Sequence, residues 1–167
     1  IGTQNHVRFI VLTKARSGSN LLLSFLNSHP NIYCEGEVFW KLEGRSYKDI
    51  LSSTFGRQPF FIHAKGFKIF YFHPLDSESC EVWEDLAAMK NVKVIHLQRK
   101  NTLKSLISMK IAMQSEEWMS TQSNKNKPPK KSVHIPVEEL RDLLEKTDQR
   151  IADGNHKFKD HDIKTVY

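Results

Sequence analysis

Residues 7–20 read Val7-Arg8-Phe9-Ile10-Val11-Leu12-Thr13-Lys14-Ala15-Arg16-Ser17-Gly18-Ser19-Asn20. The opening stretch, Val7 to Thr13, is a short apolar run with one interruption, the pattern of a buried strand. The residues from Lys14 to Asn20 are small and polar. Leu21, Leu22, Phe25 and Leu26 follow at helical spacing, and Asn27-Ser28-His29-Pro30 closes that helix, because proline cannot continue it. The unit is therefore strand, polar loop, helix.

Working outward, the same unit recurs in mid-chain. Val92-Lys93-Val94-Ile95-His96-Leu97 reads as a strand, Gln98-Arg99-Lys100-Asn101 as its turn, and Leu103, Leu106, Ile107 and Ile111 as one helical face. Phe67 to Phe72, introduced by Gly66, is a third strand candidate. After Pro74 come the acidic Asp76-Ser77-Glu78-Ser79, expected in the first turn of a helix carrying Val82, Trp83, Leu86 and Met89, where they suit its positive end. Val137, Leu140, Leu144 and Ile151 mark a long amphipathic helix ended by Gly154. Ile163 to Tyr167 reads as a last strand. Strands alternating with helices imply an α/β fold, a parallel sheet flanked by helices in three layers. Such sheets bind ligands beyond the carboxyl ends of their strands, which points at residues 14–20 and 98–101.

With 167 residues, 39% hydrophobic and 26% charged, the chain is long enough for one domain, spanning 1–167, with a real core. No apolar run approaches the roughly 18 residues that a membrane span needs. Nothing resembles a signal peptide and the chain begins without Met, so a longer parent chain is expected. Cys34 and Cys80 lie far apart without CxxC spacing, which disfavours a disulfide scaffold or a zinc ribbon. A reducing, cytoplasmic setting is the default expectation. The formal charge of +6 suggests nucleic acid until it is located: Gln122 to Lys131 holds Lys125, Lys127, Lys130 and Lys131 and no acid. That stretch reads as a solvated, flexible basic loop at about 120–133, so no nucleic-acid partner is expected.

The loop Lys14–Asn20 carries the parts an oxyanion needs. Gly18 lets the backbone approach, Ser17, Ser19 and Asn20 offer donors, and the first N–H groups of the following helix point the same way. Arg16 adds a permanent charge on a planar fork. The same composition also fits an ordinary turn capped by Ser. It is not GxxxxGK[ST], which disfavours a standard ATP or GTP site. Arg99 and Lys100 make a second basic strand end, with Ser108 nine residues past Arg99 and about two turns into a helix capped by Asn101 or Thr102. A surface salt bridge for Arg99 and a packing role for Ser108 are the plain alternatives. Two basic loops at two strand ends suggest one ligand with two separate anionic groups.

At these positions the chain resembles a family. Arg16-Ser17-Gly18-Ser19-Asn20-Leu21-Leu22 is similar to the RSGSTLL phosphosulfate loop of sulfotransferases that use 3′-phosphoadenosine 5′-phosphosulfate (PAPS). His96-Leu97-Gln98-Arg99 through Ser108 resembles their 3′-phosphate segment. His29-Pro30-Asn31 with Gly36-Glu37-Val38-Phe39, and then Gly66-Phe67-Lys68, resemble the intervening HPN…GE-aromatic and GxK stretches. The likeness runs from residue 7 to about 113 and is greatest to the bacterial carbohydrate sulfotransferases related to trehalose 2-sulfotransferase.

That resemblance implies a fold like that of P-loop nucleotide hydrolases and transfer of a sulfuryl group from PAPS to a hydroxyl of a carbohydrate or other small acceptor, leaving 3′-phosphoadenosine 5′-phosphate (PAP). It implies that Arg16, Ser17, Gly18, Ser19, Asn20 and Leu21 hold the 5′-phosphosulfate, and that Arg99 and Ser108 hold the 3′-phosphate, with Lys100 as a rival for Arg99. Arg16 would stabilise charge on the bridging oxygen. A base is needed, because a hydroxyl does not attack unaided; Glu37 maps onto the family's position, with Glu35, His63 and His73 as alternatives. Without the resemblance, both glutamates read as solvated loop carboxylates. Lys68, more than Lys65, would neutralise the transferring group. The family continues into a further helix and a basic, Gly-containing loop, so a chain ending at Tyr167 is expected to be truncated at its carboxyl end. A phosphoryl-transfer enzyme and a non-enzymatic anion-binding module are the competing readings. His156, Asp160, His161 and Asp162 make a metal-like cluster without ligand register, and no metal is expected. The aromatic run Phe60, Phe61, Phe67, Phe70, Tyr71 and Phe72 reads as core and pocket wall. Trp40 and Trp118 suit either a sugar face or the core.

Overall fold

The computed structural model describes residues 2–77, 81–115 and 132–167. The lysine-rich stretch, Trp118, Cys80, Glu78 and Ser79 therefore lie outside the described residues. In chain order the elements are β1 (Val7–Thr13), α1 (Ser19–Ser28), β2 (Ile32–Glu35), α2 (Tyr47–Thr54), β3 (Ala64–Phe70), α3 (Val82–Ala88), β4 (Val92–Leu97), α4 (Thr102–Ser115), α5 (Val137–Lys157) and β5 (Ile163–Val166). The strands form one five-stranded sheet in the order β2-β3-β1-β4-β5, parallel throughout.

The central strand explains its own sequence. Ile10, Val11 and Leu12 are fully buried, because side chains alternate across a strand and this sheet is covered on both faces. Phe9 and Val11 face Leu22, Leu23 and Leu26 of α1. Ile10 and Leu12 face the other way, into a core with Phe39, Phe55, Phe67, Ile69, Leu86 and Phe158. The layers are helix, sheet, helix.

Several elements differ from the sequence reading. The buried face of α1 is Leu22, Leu23 and Leu26, while Leu21 and Phe25 are exposed. Likewise α4 buries Ser105, Leu106 and Ala112, and Leu103 and Ile107 stay partly exposed. β3 begins at Ala64 rather than Phe67 and ends before Tyr71. It accommodates Lys65 and Lys68 in its interior because each pairs with a carboxylate, Glu35 and Glu37 respectively. Asp76 lies ahead of α3, whose first turn carries Glu84 and Asp85 instead. Gly154 does not end α5, which runs on to Lys157. A Cβ at 154 would sit 3.0 Å from Leu12 Cδ2 and 3.4 Å from Tyr71 Cε1, so this glycine lets the helix approach the sheet.

Gly66 has a similar role inside β3. It lies opposite Phe9 in the register of β1, and a Cβ there would meet the Phe9 carbonyl oxygen and ring. The topology also places a crevice. β1 leads back past β3 to β2 while its neighbour β4 leads outward to β5, so the connections diverge at the carboxyl ends of β1 and β4. Among the described residues, no helix is long and apolar enough to cross a membrane.

Candidate functional site

The divergence point is built from the two basic turns. Thr13, at the end of β1, donates its hydroxyl to the carbonyl of Leu97 at the end of β4 (2.7 Å) and lies 2.8 Å from Ser17 Oγ. Beyond it, Arg16 and Gly18 adopt left-handed backbone conformations, with φ of 63° and 98°. For Gly18 this carries no steric penalty; for Arg16 it is a strained position held by its surroundings. Those surroundings are identifiable. The Arg16 carbonyl accepts from Arg99 Nη1 (3.1 Å) and Ser105 Oγ (3.3 Å), and Arg16 Nε donates to Ser108 Oγ (2.9 Å). Asn101 starts α4, accepting the Lys104 N–H at its side-chain oxygen (2.8 Å). Ser105 and Ser108, one turn apart, therefore share the face turned to Arg16. Lys100 turns away, its ammonium 5.1 Å from the ring centroid of Tyr167.

Gly18 is the N-cap of α1, which has no side-chain cap; the Ser-capped turn is not formed. A Cβ at Gly18 would meet no atom within 4 Å. Open space thus lies before a glycine at an uncapped helix amino end, next to Arg16. Those features suit a phosphate or sulfate group. Lys14 adds a half-buried cation whose pKa burial pushes down to about 8; it reaches Thr147 Oγ1 on α5 at 3.5 Å.

The third part of the site comes from β2 and β3. The chain leaving β2 stays bonded to β3 through Lys68 N–H and the Gly36 carbonyl (3.1 Å), which sets Glu37 beside Lys68. The buried Lys68 ammonium lies 2.8 Å from Glu37 Oε1 and 2.8 Å from Asn20 Oδ1. It ties the carboxylate to the glycine loop. His73 is fully enclosed behind Glu37. Its Nδ1 accepts the Phe70 N–H (3.2 Å), which leaves the neutral ring's proton on Nε2, 3.8 Å from Glu37 Oε2. Burial pushes the His73 pKa down to about 4, so the ring is neutral at pH 7.

The structure thus brings Arg16, Ser17, Gly18, Ser19, Asn20, Arg99, Ser108, Lys68 and Glu37 to one end of the sheet. Leu21 is there in sequence but largely exposed. Glu35 pairs with Lys65, and strand alternation puts that pair on the sheet face opposite Lys68. His63 sits just before β3, at the amino ends of the strands. In the metal-like cluster, Asp160 and Asp162 pair with Lys90 and Lys93 and His161 packs on Phe158. Thr13, Lys14 and Ser105 were not singled out from sequence; Ser105 was detectable only as a hydroxyl one turn before Ser108.

No protein-family model matches the chain. It is 32% identical over 142 aligned positions to nodulation protein H of Rhizobium tropici, covering 76% of this chain and 55% of that protein. It is 31% identical over 134 positions to nodulation protein H of Rhizobium meliloti (strain 1021), covering 72% of this chain and 53% of that protein. The chain spans about half the length of the curated relatives it matches.

Proposed function

We propose that this chain carries the donor-binding and catalytic part of a sulfotransferase that moves the sulfuryl group of PAPS to a hydroxyl of a small acceptor, giving a sulfate ester and PAP. The observation that carries the reading is the junction of the two basic turns: Arg99 and Ser108 both contact Arg16, so the cations of two strand ends stand side by side. The family-like motifs, in family order, support it. The likeness to nodulation protein H is compatible with it.

When bound, PAPS supplies an activated sulfuryl group and a phosphate leaving group. Ser17, Gly18, Ser19, Asn20 and the amino end of α1 bind its 5′ end, with Leu21 continuing the loop. Arg99 and Ser108 bind the 3′-phosphate. Each charge-assisted bond contributes roughly 1.5–3 kcal/mol net. Glu37 accepts the proton of the acceptor hydroxyl as its oxygen bonds to sulfur, while the bond from sulfur to the bridging oxygen breaks. Arg16 and Lys68 stabilise the charge that passes to the leaving phosphate. Lys68 also holds Glu37 beside the glycine loop, and His73 closes the space behind it.

The test is turnover. Incubation with PAPS and a mixture of sugars and small alcohols should release PAP and yield a product heavier by one sulfuryl group. Transfer of the ATP γ-phosphate in place of this would overturn the proposal.

A further inference from the structure

Lys65, Lys68 and Lys14 are each drawn in from water, but they are not compensated alike. Lys65 and Lys68 are buried and pair with Glu35 and Glu37. Lys14, the first residue after β1, has a hydroxyl as its partner among the described residues: its Nζ lies 3.5 Å from Thr147 Oγ1 on α5. We infer that Lys14 is a further anion-binding residue of this chain, that it meets the donor phosphate gripped by Arg99, and that donor binding is thereby coupled to uptake of a proton. The inference rests on the donor reading above and adds a residue and a regulation to that site.

Three observations carry it. The first is the weak partner. An ammonium removed from water is unfavourable unless it is paired. Thr147 is buried, and its hydroxyl already donates to the Leu143 carbonyl (2.7 Å). It therefore offers Lys14 a lone pair at long range and no charge. The second is the company. Arg99 in the turn after β4 and Arg150 on α5 both act on Lys14 as like charges, and Asp148 on α5 acts the other way. Cations from three segments thus converge, and a dianion between them would turn mutual repulsion into shared attraction.

The third is the contrast between backbone and side chain. Lys14 stands between Thr13, whose hydroxyl joins the ends of β1 and β4, and the Arg16 turn, whose carbonyl receives Arg99. Its backbone is thus held on both sides against the turn that carries Arg99, while its side chain leans on α5 through one long hydrogen bond. A four-carbon stem lets the ammonium leave Thr147 for a phosphate held at Arg99. Burial first, then Arg150 and Arg99, outweigh Asp148 and hold the Lys14 pKa at about 8. A phosphate beside it favours the charged form. Above pH 8 binding therefore takes up a proton, and affinity falls as pH rises, by up to about tenfold per unit.

The experiment is calorimetry of PAP binding to the whole chain from pH 7 to 9.5, repeated in buffers of different ionisation heat. The unaltered chain should lose about tenfold in affinity between pH 8 and 9.5 and take up most of one proton at pH 9. Lys14→Arg, which keeps its charge throughout that range, should bind without the decline. At pH 7, Lys14→Gln should weaken PAP and adenosine 3′-phosphate by about tenfold, and adenosine 5′-phosphate by no more than about twofold. A purely structural tie to α5 would instead lower the melting temperature of Lys14→Gln and Thr147→Val alike, with PAP affinity and its pH profile unchanged. That result would overturn the inference and leave the donor reading standing. Failure of the unaltered chain to bind PAP at any pH would remove the donor reading, and this inference with it.

Discussion

Arg99 Nη1 donates a 3.1 Å hydrogen bond to the carbonyl oxygen of Arg16, across 83 positions of sequence. The two residues lie in the turns that follow neighbouring parallel strands, and the contact joins those two basic turns. It also helps hold Arg16 in its left-handed conformation, so the position of one guanidinium depends on the other.

The pairing of the two glutamates separates their roles. Glu37→Gln should lower kcat by about a hundredfold or more while PAP affinity stays within about twofold. Glu35→Gln should keep turnover but lower stability, because Lys65 is buried and would lose the neutralising charge of its partner. Steady-state kinetics and denaturant melts on both variants check this. Loss of turnover in Glu35→Gln alone would move the base to Glu35.

His73 predicts a pH dependence of stability. Its pKa is about 4 in the folded chain against an ordinary 6.5, so between those values the unfolded chain binds the extra proton. Stability therefore rises with pH across that window, and on acidification it is lost at up to roughly 1.4 kcal/mol per pH unit from this group. His96, also lowered by burial, acts in the same direction. Urea midpoints from pH 7 down to 4 should fall, and the fall should be shallower in His73→Gln. An equal slope in both proteins would contradict the assignment.

Gly66→Ala should be among the most damaging single-methyl additions in the chain. The new Cβ would lie within van der Waals radii of the Phe9 carbonyl oxygen, a backbone atom of the central strand that cannot swing aside. We expect a loss of about 2–3 kcal/mol or more, read as a drop in the urea midpoint. A change near zero would mean that the sheet is not paired in this register.

How far the sequence could be read follows from where information is local. β1 and β4 are legible because strands covered on both faces are mostly apolar, Gly18 because a left-handed turn favours glycine, and Arg16 because a cation beside a glycine turn suits an anion. The four residues of β2, alternating in burial, carry too short a pattern to register. Gly154 looked like a helix end because its reason for being glycine, Leu12 across the interface, is invisible in the local sequence. The site shows the same division. The cationic loops stand out as motifs, whereas Lys68 bridging Glu37 to Asn20, and Lys14 reaching Thr147, exist only once distant segments pack.

If the turns of Arg16 and Arg99 grip two anionic ends of one nucleotide, as we propose, calorimetry with PAP, adenosine 5′-phosphate and adenosine 3′-phosphate will resolve both grips. PAP should bind at least about tenfold more tightly than either monophosphate. Arg16→Ala should erase the advantage over the 3′-phosphate, and Arg99→Ala the advantage over the 5′-phosphate. PAP binding no tighter than adenosine 5′-phosphate, with Arg99→Ala indifferent to both, would contradict it.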